Sequence, residues 1–303
     1  MRFRYLLLSV LIVFVLNSCD KSKQKPLVLM TDFGEKDGAV AAMRGVANGV
    51  SNELQIFDLS HQITPYDIWE GAYRLFQTSP FWQNGSVFVC VVDPGVGTER
   101  KSIVLKTKAN HYFVGPNNGL FTLVAEAEGI EQVREIDLKK HRLPKSDSSY
   151  TFFGRDVFAF TGAKLASGTI NFEEVGEELP PSSLNLIKYQ KPTFENGKIL
   201  GGIPILDIQY GNVWTNIDKQ TFAKLNVKIG DKLIAKFYKN DELISEVIVP
   251  YQNTFGEVKE GEDLCYFNSL MNLSFAVNMG DFSKKYSVLS GFEWKIDLQK
   301  LQK

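Results

Sequence analysis

The chain has 303 residues, 44% of them hydrophobic, which is enough to bury two globular cores. Its 34 Lys and Arg balance 35 Asp and Glu, and no basic run stands out, which excludes nucleic acid as a partner class. Three His and three Cys without metal-ligand spacing exclude a zinc site, so no metal and no cofactor are expected.

Arg2 and Arg4 precede an apolar stretch, Leu6 to Leu16, broken only by Ser9. It is too short for a stable membrane span and has the form of a signal-peptide core. Leu16-Asn17-Ser18-Cys19 looks like a bacterial lipobox, although an ordinary secretory peptide with a chance cysteine has the same start. Residues 1–18 therefore read as a lipoprotein signal peptide. Cys19 reads as the lipidated residue and 19–25 as a polar tether, placing the protein in the bacterial cell envelope on a lipid anchor.

From residue 26 to 182 strand-like and helix-like segments alternate. Leu27-Val28-Leu29-Met30 is a buried strand opening into Thr31-Asp32-Phe33-Gly34, and Asp37 to Val50 has helical spacing. Leu54 to Leu59 is a strand, and Thr64-Pro65-Tyr66-Asp67 starts a helix to about Gln77, with Thr64 as its cap. Ser86 to Val92 is the most apolar strand. Further helices are predicted at Leu120 to Glu128 and Arg155 to Ala166. Such alternation predicts an α/β sandwich on a mostly parallel sheet. Residues 183–195 read as a linker. Residues 196–303 read as a smaller β-barrel-like domain of short strands with no long helices between them. Cys90 sits inside an apolar run, and a Cys90–Cys265 disulfide is compatible with an oxidising compartment.

Five loops carry polar groups. Asp32 has two readings: its two oxygens can accept both hydroxyls of a ribose, or Asp32 and Asp37 only cap the next helix. In Asp93-Pro94-Gly95-Val96-Gly97-Thr98-Glu99-Arg100 a tight turn brings Arg100 to Asp93 if the loop folds back, holding the carboxylate ionised. Alone, that is also the pattern of a structural turn with a salt bridge. Pro116-Asn117-Asn118-Gly119 is a turn into a helix. Ser149 to Asp156 places Phe152 and Phe153 beside Gly154, a pattern that also serves core packing. Asp207 to Asn216 suits an adenine slot, with Asn212 reading the base edge and Tyr210 or Trp214 stacking; a plain hairpin with a buried tryptophan is the alternative.

In this order, Thr-Asp-Phe-Gly, Asp-Pro-Gly-Val-Gly-Thr-x-Arg, Pro-Asn-Asn-Gly, Thr-Phe-x-Gly-Arg-Asp and Gly-Asn-Val-x-Thr-Asn-Ile, the motifs resemble those of one family. It is the S-adenosylmethionine (SAM) hydroxide adenosyltransferases, relatives of the SAM-dependent fluorinase and chlorinase. The resemblance implies hydrolysis of SAM to adenosine and methionine. It also implies a homotrimer with the substrate between the N-domain of one subunit and the C-domain of its neighbour. It implies Asp32 as the ribose ligand with Asp37 nearby, Tyr66 beside the ribose and methionine, and Asp207 on the methionine ammonium. Tyr210, Asn212, Trp214 and Phe255 are implied on the adenine side, and Ser269 at the methionine carboxylate, where the halogenases follow with an arginine and this chain has Leu270. Asp93 and Arg100 match two members of a water-activating trio. The third, a histidine in Thr-Phe-His-Gly, is here Phe153, and His61 matches a different family histidine expected to be structural. Asp93 and Val96 are hydrolase-like rather than halogenase-like. A non-catalytic binder of SAM or adenosine at the envelope is the other reading, favoured by Phe153 and Leu270.

Overall fold

The computed structural model describes residues 24–302, so the signal-peptide and Cys19 expectations lie outside the described residues. A seven-stranded sheet forms the first layer: β1 (Leu27–Thr31), β2 (Ile56–Ser60), β3 (Val87–Val91), β4 (Ser102–Thr107), β5 (Tyr112–Pro116), β6 (Ile130–Glu135) and β7 (Glu178–Leu179). Its order is β2-β1-β3-β5-β4-β6-β7. The β1–β2, β1–β3 and β3–β5 pairs are parallel, whereas β4 pairs antiparallel with β5 and β6, and β6 with β7. Five of the seven strands thus point the same way. Strands β1 and β3 are buried throughout, as their β-branched and leucine runs require of a sheet covered on both faces.

Helix α1 (Ala39–Val50) and a π-helical segment, Gly154–Ala159, running into α4 (Phe160–Ala166) cover one face; α2 (Ile68–Thr78) and α3 (Thr122–Glu128) cover the other. Two helix starts differ from the sequence expectation. Helix α2 begins after Asp67, whose side chain accepts from Glu70 N at 2.8 Å, while Glu70 Oε2 accepts from Thr64 N at 2.9 Å. Tyr66 sits at φ +70° and cannot belong to the helix, so the cap moves from Thr64 to Asp67. The helix expected over 155–166 opens as a π turn, a geometry that often sits at functional sites.

Beyond residue 192 every pair of neighbouring strands within a sheet is antiparallel. One sheet runs β10 (Ile205–Asp207), β11 (Asn212–Asp218), β15 (Asn272–Val277), β14 (Asp263–Phe267). The other runs β13 (Glu242–Pro250), β12 (Lys232–Lys239), β16 (Gly291–Lys300), β9 (Lys198–Ile203), β8 (Thr193–Glu195). They enclose one core around Phe237, Phe275, Phe282 and Ile296, and a bridge between Tyr251 and Cys265 joins the two sheets at one edge. Cys265 lies in this core and Cys90 in the first, both as free thiols, so no disulfide joins them. Trp69, Tyr73, Leu123, Ile205 and Trp214 seal the seam between the two layers, where Trp69 Nε1 donates to Pro204 O at 2.9 Å. Residues 184–192 have no regular structure but are pinned: Asn185 N donates to Asn117 Oδ1 at 2.8 Å, and Tyr189 packs on Trp69 at 4.8 Å. Among the described residues no helix is long and apolar enough to cross a membrane.

Candidate active site

In an open sheet with parallel strands, ligands sit past the carboxyl ends of the strands. At that edge lies a cavity of about 280 Å³ lined by Asp32, Tyr66, Asp93, Val96, Phe153 and Gly154 among others. Two successive turns make its floor. Val96 N donates to Asp93 O at 3.2 Å, and Thr98 N and Oγ1 both donate to Gly95 O, at 3.2 and 2.7 Å. Gly97, at φ +78°, passes so close under Tyr150 O that a Cβ would stand 2.9 Å from it. The loop folds back, and Arg100 meets Asp93 in a bidentate pair: Nε to Oδ1 at 3.0 Å and Nη2 to Oδ2 at 2.5 Å. Arg100 Nη1 donates to Ser102 Oγ at 2.8 Å.

The side chains of Arg100 and Asp93 are only 9% and 4% exposed. Taking two charges out of water gains little stability over an apolar pair, and of this pair the Asp93 carboxylate lines the cavity. Each Asp93 oxygen takes one bond from Arg100 and retains acceptor capacity.

Phe153 closes the wall. Its ring lies between two guanidinium groups, Arg100 at 5.1 Å and Arg142 at 5.2 Å. Arg142 in turn donates to Ser146 O (3.1 Å) and to Ser149 O, fixing the loop before Phe153.

Of the two candidate aspartates in the first loop, only Asp32 lines the cavity. Its Oδ2 accepts from Tyr66 N at 2.8 Å, which holds Tyr66 in its left-handed conformation with the side chain 72% exposed at the rim. Asp37 is exposed and accepts from Ala39 N at 2.8 Å, so it orders the start of α1 and stands outside the cavity.

The C-terminal candidates gather elsewhere. Asp207, Tyr210, Asn212, Phe255 and Tyr266 line a second cavity of about 710 Å³, which shares no lining residue with the first. Asn212 Nδ2 donates to Asp207 Oδ2 at 3.2 Å, and Phe255 stacks obliquely on Tyr266 at 4.8 Å. Burial pushes the Tyr266 phenol up to about 12, so it stays a donor. Gly211, at φ +66°, is packed so tightly on Asp281 that any side chain would collide with its carboxylate. Trp214 lies in the buried seam rather than on the cavity wall. Ser269 is exposed outside both cavities, on a turn held by Asn268 Oδ1, which accepts from Leu270 N (2.9 Å) and Asn272 N (3.1 Å). One chain thus presents two separate cavities.

Several residues without a site role in the sequence reading brace the first cavity. Asn118 Nδ2 donates to Val92 O at 2.9 Å, fixing the carbonyl beside Asp93, and Ser102 and Arg142 brace Arg100 and Phe153. Only Asn118 carried a local signal, its place in an Asn-Asn-Gly turn.

The sequence patterns of the SAM hydroxide adenosyltransferase N-terminal and C-terminal domains match residues 27–176 and 201–295. The chain belongs to this family. Among its relatives, a protein of Methanocaldococcus jannaschii named (R)-S-adenosyl-L-methionine hydrolase is 35% identical over 86% of this chain and 92% of its own. A fluorinase of Actinoplanes sp. is 27% identical, over 88% of this chain and 95% of its own. A solved structure of an uncharacterized conserved protein from Thermotoga maritima superposes with a TM-score of 0.81 at 36% identity, covering 90% of this chain and 99% of that one. The resemblance drawn from the ordered motifs therefore holds at the level of family and fold.

Proposed function

We propose that the protein hydrolyses S-adenosylmethionine to adenosine and methionine. The observation that carries this reading is the sequestered Asp93–Arg100 pair on the wall of a cavity that also holds Asp32. Water attacks the ribose 5′-carbon in line with the C5′–S bond. The new C5′–O bond forms as the C–S electron pair returns to sulfur, and methionine leaves as a neutral thioether. No acid is needed for the leaving group, so catalysis rests on positioning, on excluding bulk water and on an acceptor for the water proton. Asp93 is that acceptor, Arg100 orients it, and Asp32 takes the ribose hydroxyls. The names of the hydrolase relatives specify the R configuration at sulfur, and we assign the same epimer here.

In the homotrimer that the family resemblance implies, Asp207 and Asn212 of a second copy of the chain complete the pocket. The separation of the two cavities within one chain supports this. Each single variant, Asp93→Ala or Asp207→Ala, is expected to turn over substrate far more slowly than the unaltered protein. Unfolded together and refolded, they restore both intact halves at about a quarter of the interfaces. Failure of the mixture to recover activity overturns the shared site. The lipobox-like Leu16-Asn17-Ser18-Cys19 supports export and anchoring through Cys19, and Cys19→Ser is expected to release the protein from the membrane fraction.

The reaction itself is tested in ¹⁸O-water with (R)-SAM, following products by mass spectrometry. The expected result is one ¹⁸O in adenosine and none in methionine. Binding without products would leave a nucleoside-binding protein instead.

A further inference from the structure

We infer that His61, with Thr31 and Asp58, is a positioning residue that sets the ribose-binding carboxylate of Asp32; this rests on the nucleoside reading of the site. His61 is buried beneath the first loop, its side chain 1% exposed, between the ends of β1 and β2. Its Nδ1 lies 2.8 Å from Thr31 Oγ1 and its Nε2 lies 2.9 Å from Asp58 Oδ1. Arg44, from α1, pairs with the same Asp58 carboxylate, with Nε 3.3 Å from Oδ1. A continuous polar chain therefore runs from a half-exposed ion pair to Thr31, the residue before Asp32.

The proton positions follow from the partners. Asp58 can only accept, which puts a ring hydrogen on Nε2; Nδ1 of the neutral ring then accepts from the Thr31 hydroxyl, whose Oγ1 accepts in turn from Phe33 N at 3.2 Å. Every polar atom of the imidazole and the threonine is used, as burial demands.

The loop is tied twice to the same histidine. Gly34 N donates to His61 O at 2.8 Å, so its backbone and ring together close the Asp32-Phe33-Gly34 turn over the strand ends. Asp32 N donates to Val91 O at 3.3 Å, next to the Asp93 strand end, and Asp32 Oδ2 accepts from Tyr66 N. A displaced Thr31 hydroxyl would rotate the turn and carry the Asp32 carboxylate away from a vicinal diol. The base and the sulfur end of the ligand would be untouched. Ribose recognition, rather than the fold as a whole, is what this chain controls.

The test compares adenosine with 2′,3′-dideoxyadenosine by titration calorimetry on the unaltered protein and on Thr31→Val, Thr31→Ser and Asp58→Asn. The unaltered protein is expected to prefer adenosine. Thr31→Val removes the hydroxyl at nearly constant shape and is expected to weaken adenosine about tenfold while leaving the dideoxy ligand within about twofold. Thr31→Ser restores the preference, and Asp58→Asn, on the half-exposed side, lowers it by less. Equal weakening of both ligands by Thr31→Val, or none, overturns the positioning role. An unaltered protein that binds neither nucleoside instead overturns the reading of the pocket, and the positioning role falls with it.

Discussion

The first sheet carries a buried acid–base pair at each end, and the two differ in what their oxygens do. At the carboxyl end, the Asp93 carboxylate takes bonds, among the described residues, only from Arg100 and faces a cavity. At the opposite end, Glu128 is filled: Ser79 Oγ donates to Oε1 at 2.6 Å, Thr107 Oγ1 to Oε2 at 2.7 Å, and His111 Nδ1 lies 3.0 Å from Oε2. Both pairs are sequestered, with side chains under a tenth exposed. Burial of charge alone therefore does not mark a catalytic group. Spare acceptor capacity aimed into a cavity does, whereas hydroxyls packed around a carboxylate mark a structural pair.

The sharpest way to break this contrast is to remove each carboxylate in turn. Asp93→Ala is expected to lower turnover of SAM per folded molecule by roughly 10²–10⁴-fold, the usual loss for a positioned proton acceptor, and to lower the melting temperature as well, because it strands the buried Arg100 charge. Glu128→Ala is expected to lower the melting temperature alone. It strands a buried imidazole and two hydroxyls, at about 3–5 kcal/mol of stability for a broken buried pair, with turnover of the folded fraction intact. Product release by liquid chromatography and thermal melts of both variants give the comparison. If Asp93→Ala leaves turnover per folded molecule intact, as Glu128→Ala does, the two pairs are alike and the catalytic assignment of Asp93 fails.

A smaller effect is expected at Phe153. A histidine there would sit between Arg100 and Arg142, whose charges disfavour a third cation and keep the ring a neutral acceptor. Phe153→His is then expected to raise turnover about tenfold, short of the full 10²–10⁴-fold range for acid–base catalysis, because Asp93 already accepts a proton. The substrate KM stays close to that of the unaltered protein. An unchanged rate would show that water is activated without a group at this position.

This contrast also shows what was legible from residue order and what was not. The Asp93 turn was readable because Asp-Pro-Gly and the second glycine are local signals, and the fold-back onto Arg100 follows from two short turns. The α/β alternation was readable because β1 and β3 are unbroken apolar runs. Strands β4 and β6 went unread because their pattern mixes charged Lys106, Arg134 and Glu135 with apolar residues in the antiparallel part of the sheet. Strand β5 went unread because its apolar run is only five residues long and ends in Gly115-Pro116. Glu128 and His111 gave no signal, since Ser79, Thr107, His111 and Glu128 are distant in sequence and meet only when α2, α3 and the β4–β5 hairpin pack. His61 read as a lone structural histidine for the same reason: its partners come from β1 and β2, and Arg44 beyond them comes from α1. The split of the site into two cavities was implied by family resemblance alone, because no local pattern records which surface of another copy a loop faces.

The smallest expected effect concerns pH. For His111, burial opposes protonation, but the Glu128 bond and charge, helped by the Trp82 carbonyl, outweigh it and raise its pKa above the ordinary 6.5. For Glu128, burial opposes ionisation, and the bonds from His111, Ser79 and Thr107 outweigh it and hold it below the ordinary 4.5. The two signs differ. The His111 contribution is full below its unfolded value and is lost as pH rises through the raised folded value. The Glu128 contribution is full above its unfolded value and is lost as pH falls through the lowered one. Both are present together between the two ordinary values, 4.5 and 6.5. His111→Gln keeps an amide donor for Glu128 but removes the titration. Its melting temperature is therefore expected to fall less steeply than that of the unaltered protein as pH rises above 6.5, by a few degrees across the alkaline limb. Turnover per folded molecule should keep its pH profile, because the pair lies at the far end of the sheet from Asp93. Parallel melting curves, or a shifted activity profile, would show that the two ends of the sheet are coupled.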